Sequence, residues 1–246
     1  MRADAPAQPN PKTVGLFLDV DGTLLEFAPT PDGVAVPDGL IADLAAAEDR
    51  LGGALALLSG RPIAELDRLF QPLRLRASGV HGAEIRRVPG ADGIECRSDA
   101  LPEALVDSVH ALAARYPVRF LERKGASLAL HVTPDEAPVA ALRRALERLV
   151  LAFPASDLDV VEGRHVLEIK PHGLHKGTAI ERFMAERPFA GRAPVFISDS
   201  PMDRAGFDAA LALGGKAYGV GPAMAGLSGR FEDPSAVRAW LRRLTA

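Results

Sequence analysis

Two carboxylates stand one residue apart in Asp19-Val20-Asp21-Gly22, directly after the apolar run Val14-Gly-Leu-Phe-Leu18. Such a run reads as a buried parallel strand, and open α/β sheets place their reactive groups beyond the carboxyl ends of those strands. Gly22 permits the tight bend that keeps Asp21 near the strand end. A plain strand followed by an Asp-Gly turn would look the same over so few residues. Three later junctions share this character. Residues 54–58 form a second apolar run that enters Ser59-Gly60-Arg61-Pro62. A hydroxyl and the fresh N–H groups of a helix start are what a phosphate oxygen seeks, although Ser59 alone is equally a helix cap. Lys176 falls in the first turn of a helix, where the dipole disfavours a cation, and so hints at an anionic partner. Asp199 and Asp203 follow a further apolar run at 194–197, where they would also serve as a solvated cap.

The elements that would position these groups are readable from periodicity. Residues 37–51 carry Leu40, Ile41, Leu44, Ala47 and Leu51 at helical spacing, and Ile63, Leu66, Leu69 and Phe70 repeat it after Pro62. The turn-rich stretch 27–33 predicts an ordered loop over the first strand end, lining a substrate entrance. A third strand is predicted at 75–78, before Gly79-Val-His81-Gly-Ala-Glu84. Around 89–100 the pattern loosens into Gly, Pro and Asp, which predicts a boundary. Beyond it come a helix through Leu105, Val109 and Leu112, alternating strands at 118–122 and 126–132, a helix through Val139, Leu142 and Leu146, and strands at 158–162 and 165–170. Helix, two strands, helix, two strands is an α+β module on an antiparallel sheet, inserted into the first domain's chain. The parallel-sheet rhythm then resumes. It predicts a helix through Ile180 and Phe183, the strand at 194–197, a short last strand at 217–220, and a terminal helix at 234–244 with Trp240 inside. The expected fold class is α/β, a parallel-sheet core of residues 13–100 and 171–246 with an α+β insertion at 101–170 and a flexible tail at 1–12.

Composition limits the partners. The chain has 246 residues, 25% of them charged, with a formal net charge of -3. That balance suggests neither a nucleic-acid-binding surface nor an acidic tail. The single cysteine, Cys96, excludes an internal disulfide framework and suits a reducing compartment. The apolar stretches are too short to span a bilayer, and residues 1–12 lack the apolar segment of a secretion signal. The expectation is a cytoplasmic protein with a small-molecule substrate, no nucleic acid and no membrane partner. A monomer is the expected oligomeric state.

The string Asp19-Val-Asp21-Gly-Thr-Leu24 resembles the first motif of the haloacid-dehalogenase-like phosphatases, and Ser59-Gly60-Arg61 resembles their second. Gly79-Val-His81-Gly-Ala-Glu84 is similar to a string of one branch, the trehalose-6-phosphate phosphatases. Leu121-Glu122-Arg-Lys124-Gly-Ala-Ser-Leu-Ala-Leu-His131 looks like that branch's cap segment, and Val166-Leu-Glu168-Ile-Lys170-Pro171 with Gly173, Lys176 and Gly177 like its returning strand. The likeness runs from about residue 14 to 208. It implies a Rossmann-like core with a mobile cap of the α+β (C2) type.

The resemblance also implies roles, and these match what phosphate-monoester hydrolysis requires: a nucleophile, a proton for the leaving oxygen and positive charge. Asp19 would attack phosphorus and become an aspartyl-phosphate. Asp21 would protonate the sugar oxygen and then activate water. Lys176 would neutralise the phosphate and hold Asp19 ionised, with Ser59 and Gly60 also binding the phosphate. Asp199, backed by Asp203, would join Asp19 and the Asp21 carbonyl around Mg²⁺. Arg61, His81, Glu122, Lys124, His131, Glu168 and Lys170 would bind substrate, with Glu122, Lys124 and Glu168 on the distal glucose. From spacing alone those three would be exposed strand charges.

The fourth motif departs from the family pattern Gly-Asp-Asp-x-Thr-Asp-Glu. Here it reads Ser198-Asp199-Ser200-Pro201-Met202-Asp203-Arg204, so Ser200 replaces a carboxylate and Arg204 a glutamate. Weaker metal affinity is the expected consequence. The implied reaction is hydrolysis of trehalose 6-phosphate to trehalose and phosphate. The alternatives are a capped phosphatase for another sugar phosphate, of sucrose or mannosylglycerate type, and a catalytically weakened sugar-phosphate sensor.

Overall fold

The computed structural model describes residues 6–28, 33–133, 136–163 and 165–245. Residues 29–32 of the loop expected over the first strand end, and 1–5 of the tail, lie outside the described residues. The chain divides into two compact units, residues 1–95 with 175–246, and residues 96–174. In chain order the first unit opens with β1 (Val14–Leu18), α1 (Leu40–Arg50), β2 (Leu55–Leu58), α2 (Ile63–Phe70), β3 (Arg76–Gly79) and β4 (Glu84–Arg86), and β5 (Glu95–Cys96) straddles the chain boundary between the units. The second unit holds α3 (Glu103–Ala113), β6 (Val118–Arg123), β7 (Leu128–Val132), α4 (Glu136–Val150), β8 (Leu158–Gly163) and β9 (Val166–Pro171). The first unit resumes with α5 (Lys176–Met184), β10 (Ala193–Ser198), α6 (Arg204–Ala212), β11 (Lys216–Val220), β12 (Gly229–Phe231) and α7 (Pro234–Thr245).

The strands of the first unit lie in the order β12-β11-β10-β1-β2-β3-β4-β5. β12 through β3 pair parallel, and β4 turns antiparallel against β3. β1 is flanked on both edges and every one of its residues is buried, which is why its sequence is apolar without alternation. The chain leaves β1 toward β2 and β3, then returns on the other side at β10. The strand order therefore reverses between β1 and β10, and the carboxyl ends of these two strands open the crevice where α/β sheets bind ligands. Register places Leu18 beside both Ile197 and Leu57, so Asp19, Ser198 and Ser59 all emerge near this point.

Two findings correct the element reading. The last strand is β12 instead of β11, and β4 and β5 extend the sheet, β5 within the stretch where the sequence pattern loosens. These strands have two or three residues each, too few to show a period. β12 is fixed by packing: the Phe231 ring meets Trp240 edge-on at 5.8 Å, and Trp240 is fully buried on α7. Below β1, the Phe17 ring stacks on Phe189 at 5.0 Å. Within the tail, the Gln8 side-chain amide donates to the Trp240 carbonyl at 2.9 Å, and Arg192 Nη1 donates to the Pro11 carbonyl at 3.0 Å.

The second unit is a four-stranded antiparallel sheet in the order β6-β7-β9-β8, with α3 and α4 on one face. Leu128, Leu130, Leu167 and Ile169 point into that interface, where they join Leu105, Val109, Leu142 and Leu146. Strand alternation turns Glu122, Ala129, His131 and Glu168 to the other face. The fold is therefore α/β with a parallel-sheet core and an inserted α+β unit. No helix among the described residues is long and apolar enough to cross a membrane.

Candidate active site

The residue that leaves β1, Asp19, meets a buried ammonium group. Lys176 Nζ donates to Asp19 Oδ1 at 2.5 Å and to Asp203 Oδ2 at 2.6 Å. Lys176 is the first residue of α5, and His175 caps that helix by accepting from the Thr178 N–H at 3.2 Å, with Thr178 bonding back in a capping box. A Cβ on the next residue, Gly177, would collide with the Ala205 carbonyl, so the glycine lets α5 lie close on α6. The other oxygen of Asp19, Oδ2, is 3.3 Å from Thr23 Oγ1 and 3.2 Å from Ser198 Oγ. Ser198 Oγ is 2.5 Å from Asp203 Oδ2 and accepts the Ser200 N–H at 3.2 Å. Thr23 Oγ1 accepts the Asp199 N–H at 3.0 Å and so ties the loop after β1 to the loop after β10. Gly22 has φ +79, and a Cβ there would strike the Asp199 carboxylate. The turn can therefore hold only glycine.

The charges are out of balance in this crevice. Burial alone would lower the Lys176 pKa, but Asp19 and Asp203 outweigh it and hold the ammonium charged well above its ordinary range. Burial pushes Asp19 up to about 7; Lys176 pulls it down, while Asp203 and Asp199 push it further up. Asp199 is also raised, chiefly by burial. Three clustered carboxylates with one ammonium leave an excess of negative charge that a hard divalent cation would relieve. Among the described residues no three His, Cys, Asp or Glu side chains form a ready-made metal cage. Mg²⁺ does not require one, because it keeps several waters and takes one or two carboxylates. Asp19 and Asp199 fit that need.

Asp21 is held differently. Arg61 donates to it twice, Nε to Oδ2 at 2.7 Å and Nη2 to Oδ1 at 2.8 Å, and Arg61 Nη1 reaches Glu65 at 3.2 Å. Sequence reasoning places Arg61 on substrate; in this structure its guanidinium holds the partner carboxylate of the Asp-x-Asp pair. The turn at the start of α2 is also more committed than its sequence suggests. Ser59 Oγ accepts the Arg61 N–H at 3.0 Å, and Glu84 Oε2 takes the Ile63 N–H at 2.7 Å, so a carboxylate of the protein already occupies part of that helix start. His81 is placed by strained backbone, with φ 47 at Val80 and 53 at His81. Each such conformation costs ~1–3 kcal/mol and is characteristic of functional segments. The His81 and Val80 N–H groups donate to the Ser59 and Arg61 carbonyls at 3.1 Å each, and the His81 ring lies against Gly60.

In the second unit, Glu122, Lys124, His131 and Glu168 form one cluster. Register sets Glu122 and Glu168 on either side of Ala129. Lys124 Nζ lies between them, 3.6 Å from Glu122 Oε2 and 3.8 Å from Glu168 Oε1. His131 Nε2 is 2.8 Å from Glu122 Oε2, and its ring stacks on Phe120 at 4.1 Å. Burial would raise the Glu122 pKa, but His131 and Lys124 outweigh it and hold the carboxyl below its ordinary value. Ser127 Oγ donates to Glu168 Oε1 at 2.6 Å. Lys170 stands apart: its ammonium donates to the Leu174 carbonyl at 2.5 Å, and burial lowers its pKa. The reading of Glu122 and Glu168 as exposed strand charges does not hold, since Glu168 is 5% exposed and both carboxylates are paired. Ser127, Phe120, Thr23 and Ser198 are by residue type ordinary strand and turn residues, although Thr23, Ser127 and Ser198 lie inside the strings compared with the family motifs.

The departures in the fourth motif lie partly outside this arrangement. Arg204 turns to Asp208, with Nε at 3.1 Å, and to the Ala225 carbonyl at 3.0 Å. Ser200 Oγ caps the following turn by accepting the Met202 N–H at 3.3 Å.

Comparison with known proteins agrees with this layout. The trehalose-phosphatase family profile matches residues 17–221. Trehalose-6-phosphate phosphatase of Escherichia coli is 40% identical over 229 residues, which cover 93% of this chain and 85% of that protein. Among solved structures, the C-terminal domain of C. albicans trehalose-6-phosphate phosphatase superposes with a TM-score of 0.80 at 18% identity, covering 95% of this chain and 93% of that one. A phosphatase of the haloalkanoate (HAD) superfamily from Bacteroides thetaiotaomicron shares the fold with a TM-score of 0.63 at 17% identity, covering 93% of this chain and 92% of that one. With its Asp-x-Asp at the switch point of the sheet and its α+β insertion, the chain belongs to the trehalose-phosphatase family of phosphoric monoester hydrolases.

Proposed function

We propose that this protein hydrolyses trehalose 6-phosphate to trehalose and inorganic phosphate, in a Mg²⁺-dependent reaction through an aspartyl-phosphate on Asp19. The observation that carries the reading is the buried Lys176 ammonium on Asp19 Oδ1, at the carboxyl end of the central strand. An Asp19 oxygen attacks phosphorus while the bond from phosphorus to the sugar oxygen breaks, and Asp21 gives its proton to that oxygen. In the second half-reaction Asp21 takes a proton from the water that attacks the aspartyl-phosphate, which frees phosphate and restores Asp19. Lys176 favours the ionised nucleophile and offsets phosphate charge, with Ser59 and Gly60 as further phosphate-binding groups. Asp19, Asp199 and the Asp21 carbonyl would hold Mg²⁺, which would supply positive charge to the transferring phosphoryl group.

The sensor reading rests on the altered fourth motif. What speaks against it is that Asp199 is tied to Thr23 and Asp203 to Lys176, while Ser200 and Arg204 turn elsewhere. The deciding experiment is phosphate release from trehalose 6-phosphate with Mg²⁺ and with a chelator. Release is expected with Mg²⁺ and should disappear on chelation. Release from sucrose 6-phosphate or mannosylglycerate phosphate in its place would move the substrate assignment, and no release from any would leave the sensor.

The sugar end is assigned to Glu122, Lys124 and Glu168. Each replaced by Ala should lower kcat/KM for trehalose 6-phosphate by ~10-fold or more, the scale of one charge-assisted hydrogen bond used to orient the ester. An aryl phosphate, which has no second sugar, should be turned over at nearly the wild-type rate. Parallel losses on both substrates would show that the three residues do something other than bind the sugar.

A further inference from the structure

Asp203 Oδ2 receives two short contacts, from Lys176 Nζ at 2.6 Å and from Ser198 Oγ at 2.5 Å. With Lys176 on Asp19 Oδ1 and Ser198 Oγ 3.2 Å from Asp19 Oδ2, the four side chains close a ring. Ser198 is fully buried at the end of β10, beside the exit of β1. It has one hydroxyl proton. A separation of 2.5 Å is that of an O–H donating to a carboxylate, so the proton goes to Asp203. The Ser198 lone pairs are then left for the Ser200 N–H. The fourth-motif pattern that this segment resembles has glycine at this position and offers no hydroxyl there.

We infer that Ser198 is a positioning residue of the hydrolytic site: it pins Asp203, and through Asp203 it keeps the Lys176 ammonium on the nucleophile Asp19. Without the hydroxyl, Asp203 is a buried carboxylate whose side-chain tie among the described residues is to Lys176. It is then free to turn, and it takes the ammonium with it. The inference rests on the phosphatase reading of the site but not on which sugar is bound, because it acts where phosphorus is transferred.

The test measures kcat and KM at saturating Mg²⁺ for Ser198→Ala, Asp203→Asn and the double variant, on both p-nitrophenyl phosphate and trehalose 6-phosphate. Ser198→Ala is expected to lower kcat about 10-fold on both, with KM changed less than about two-fold, since the lost contact acts in the transition state. On the Asp203→Asn background the same change should cost less than about two-fold, because the partner it acts through is gone. A kcat within about two-fold of wild type, with or without a lower melting temperature, would overturn the inference. So would a full loss persisting on the Asp203→Asn background. If the Ala variant melts below the assay temperature, Ser198→Gly carries the same expected losses. A wild type active on the aryl phosphate and inert on trehalose 6-phosphate overturns the sugar assignment alone, and a wild type inert on both overturns the two together.

Discussion

Asp19→Asn is expected to reduce phosphate release by roughly 10⁴-fold or more, on sugar and aryl phosphates alike, because an amide cannot form the phosphoryl intermediate. The fold should survive, since Asn keeps an oxygen for Lys176 and an amide able to reach Thr23 and Ser198. Its stability should even rise in one regime. Asp19 holds its proton up to about 7 in the folded chain against an ordinary value of 3.8. Below about pH 4 both states hold the proton and the site contributes nothing. Between about pH 4 and about pH 7 the unfolded chain releases its proton first, so folding is increasingly penalised, and above that the penalty is complete. Asn carries no such penalty. With a chelator present, the variant should melt at or above wild type at pH 8, and the difference should shrink as pH falls toward 4. Activity above a small fraction of wild type removes Asp19 from the nucleophile role. A variant that melts well below wild type at pH 8 shows that Lys176 needs the Asp19 charge more than burial opposes it.

What the sequence makes legible follows from how strongly each position is constrained. β1 is buried on both faces and both edges, so its composition has no freedom and its apolar run is unmistakable. The alternation of β7 shows as plainly, because one face carries the helices and the other does not. β12 and β5 are short edge strands fixed by neighbours distant in the chain, and nothing in Gly229-Arg-Phe231 alone demands a strand. The site divides the same way. Asp19, Asp21, Lys176, Asp199 and Asp203 stand at element junctions, where a charge after an apolar run is conspicuous. Thr23, Ser127 and Ser198 act through single hydroxyls, a group equally common in caps and turns, and only the fold brings them to their carboxylates. The bidentate pairing of Arg61 with Asp21 joins residues 40 positions apart and has no local pattern at all.

That pairing shapes the other large effect expected, a loss of ~10²–10⁴-fold for Asp21→Asn on trehalose 6-phosphate. The Arg61 guanidinium grips Asp21 through both oxygens. In the first half-reaction Asp21 gives a proton to the leaving oxygen, and in the second it takes one from water. The two half-reactions should therefore respond differently to the leaving group. An aryl phosphate leaves without help, so Asp21→Asn should still release close to one equivalent of phenol in a fast first turnover and then stall as aspartyl-phosphate. Trehalose 6-phosphate needs the proton at once, and its first turnover should already be slow. A structural explanation is available as well, because Asn removes one charged partner of the largely buried Arg61, whose ion pair with Glu65 persists, and should lower the melting temperature. Loss of the Arg61 anchor would slow the first turnover of both substrates equally, with no burst. Rapid mixing with p-nitrophenyl phosphate separates the two accounts: a burst followed by a stall supports proton transfer by Asp21, and equal slowing without a burst reduces Asp21 to an anchor for Arg61.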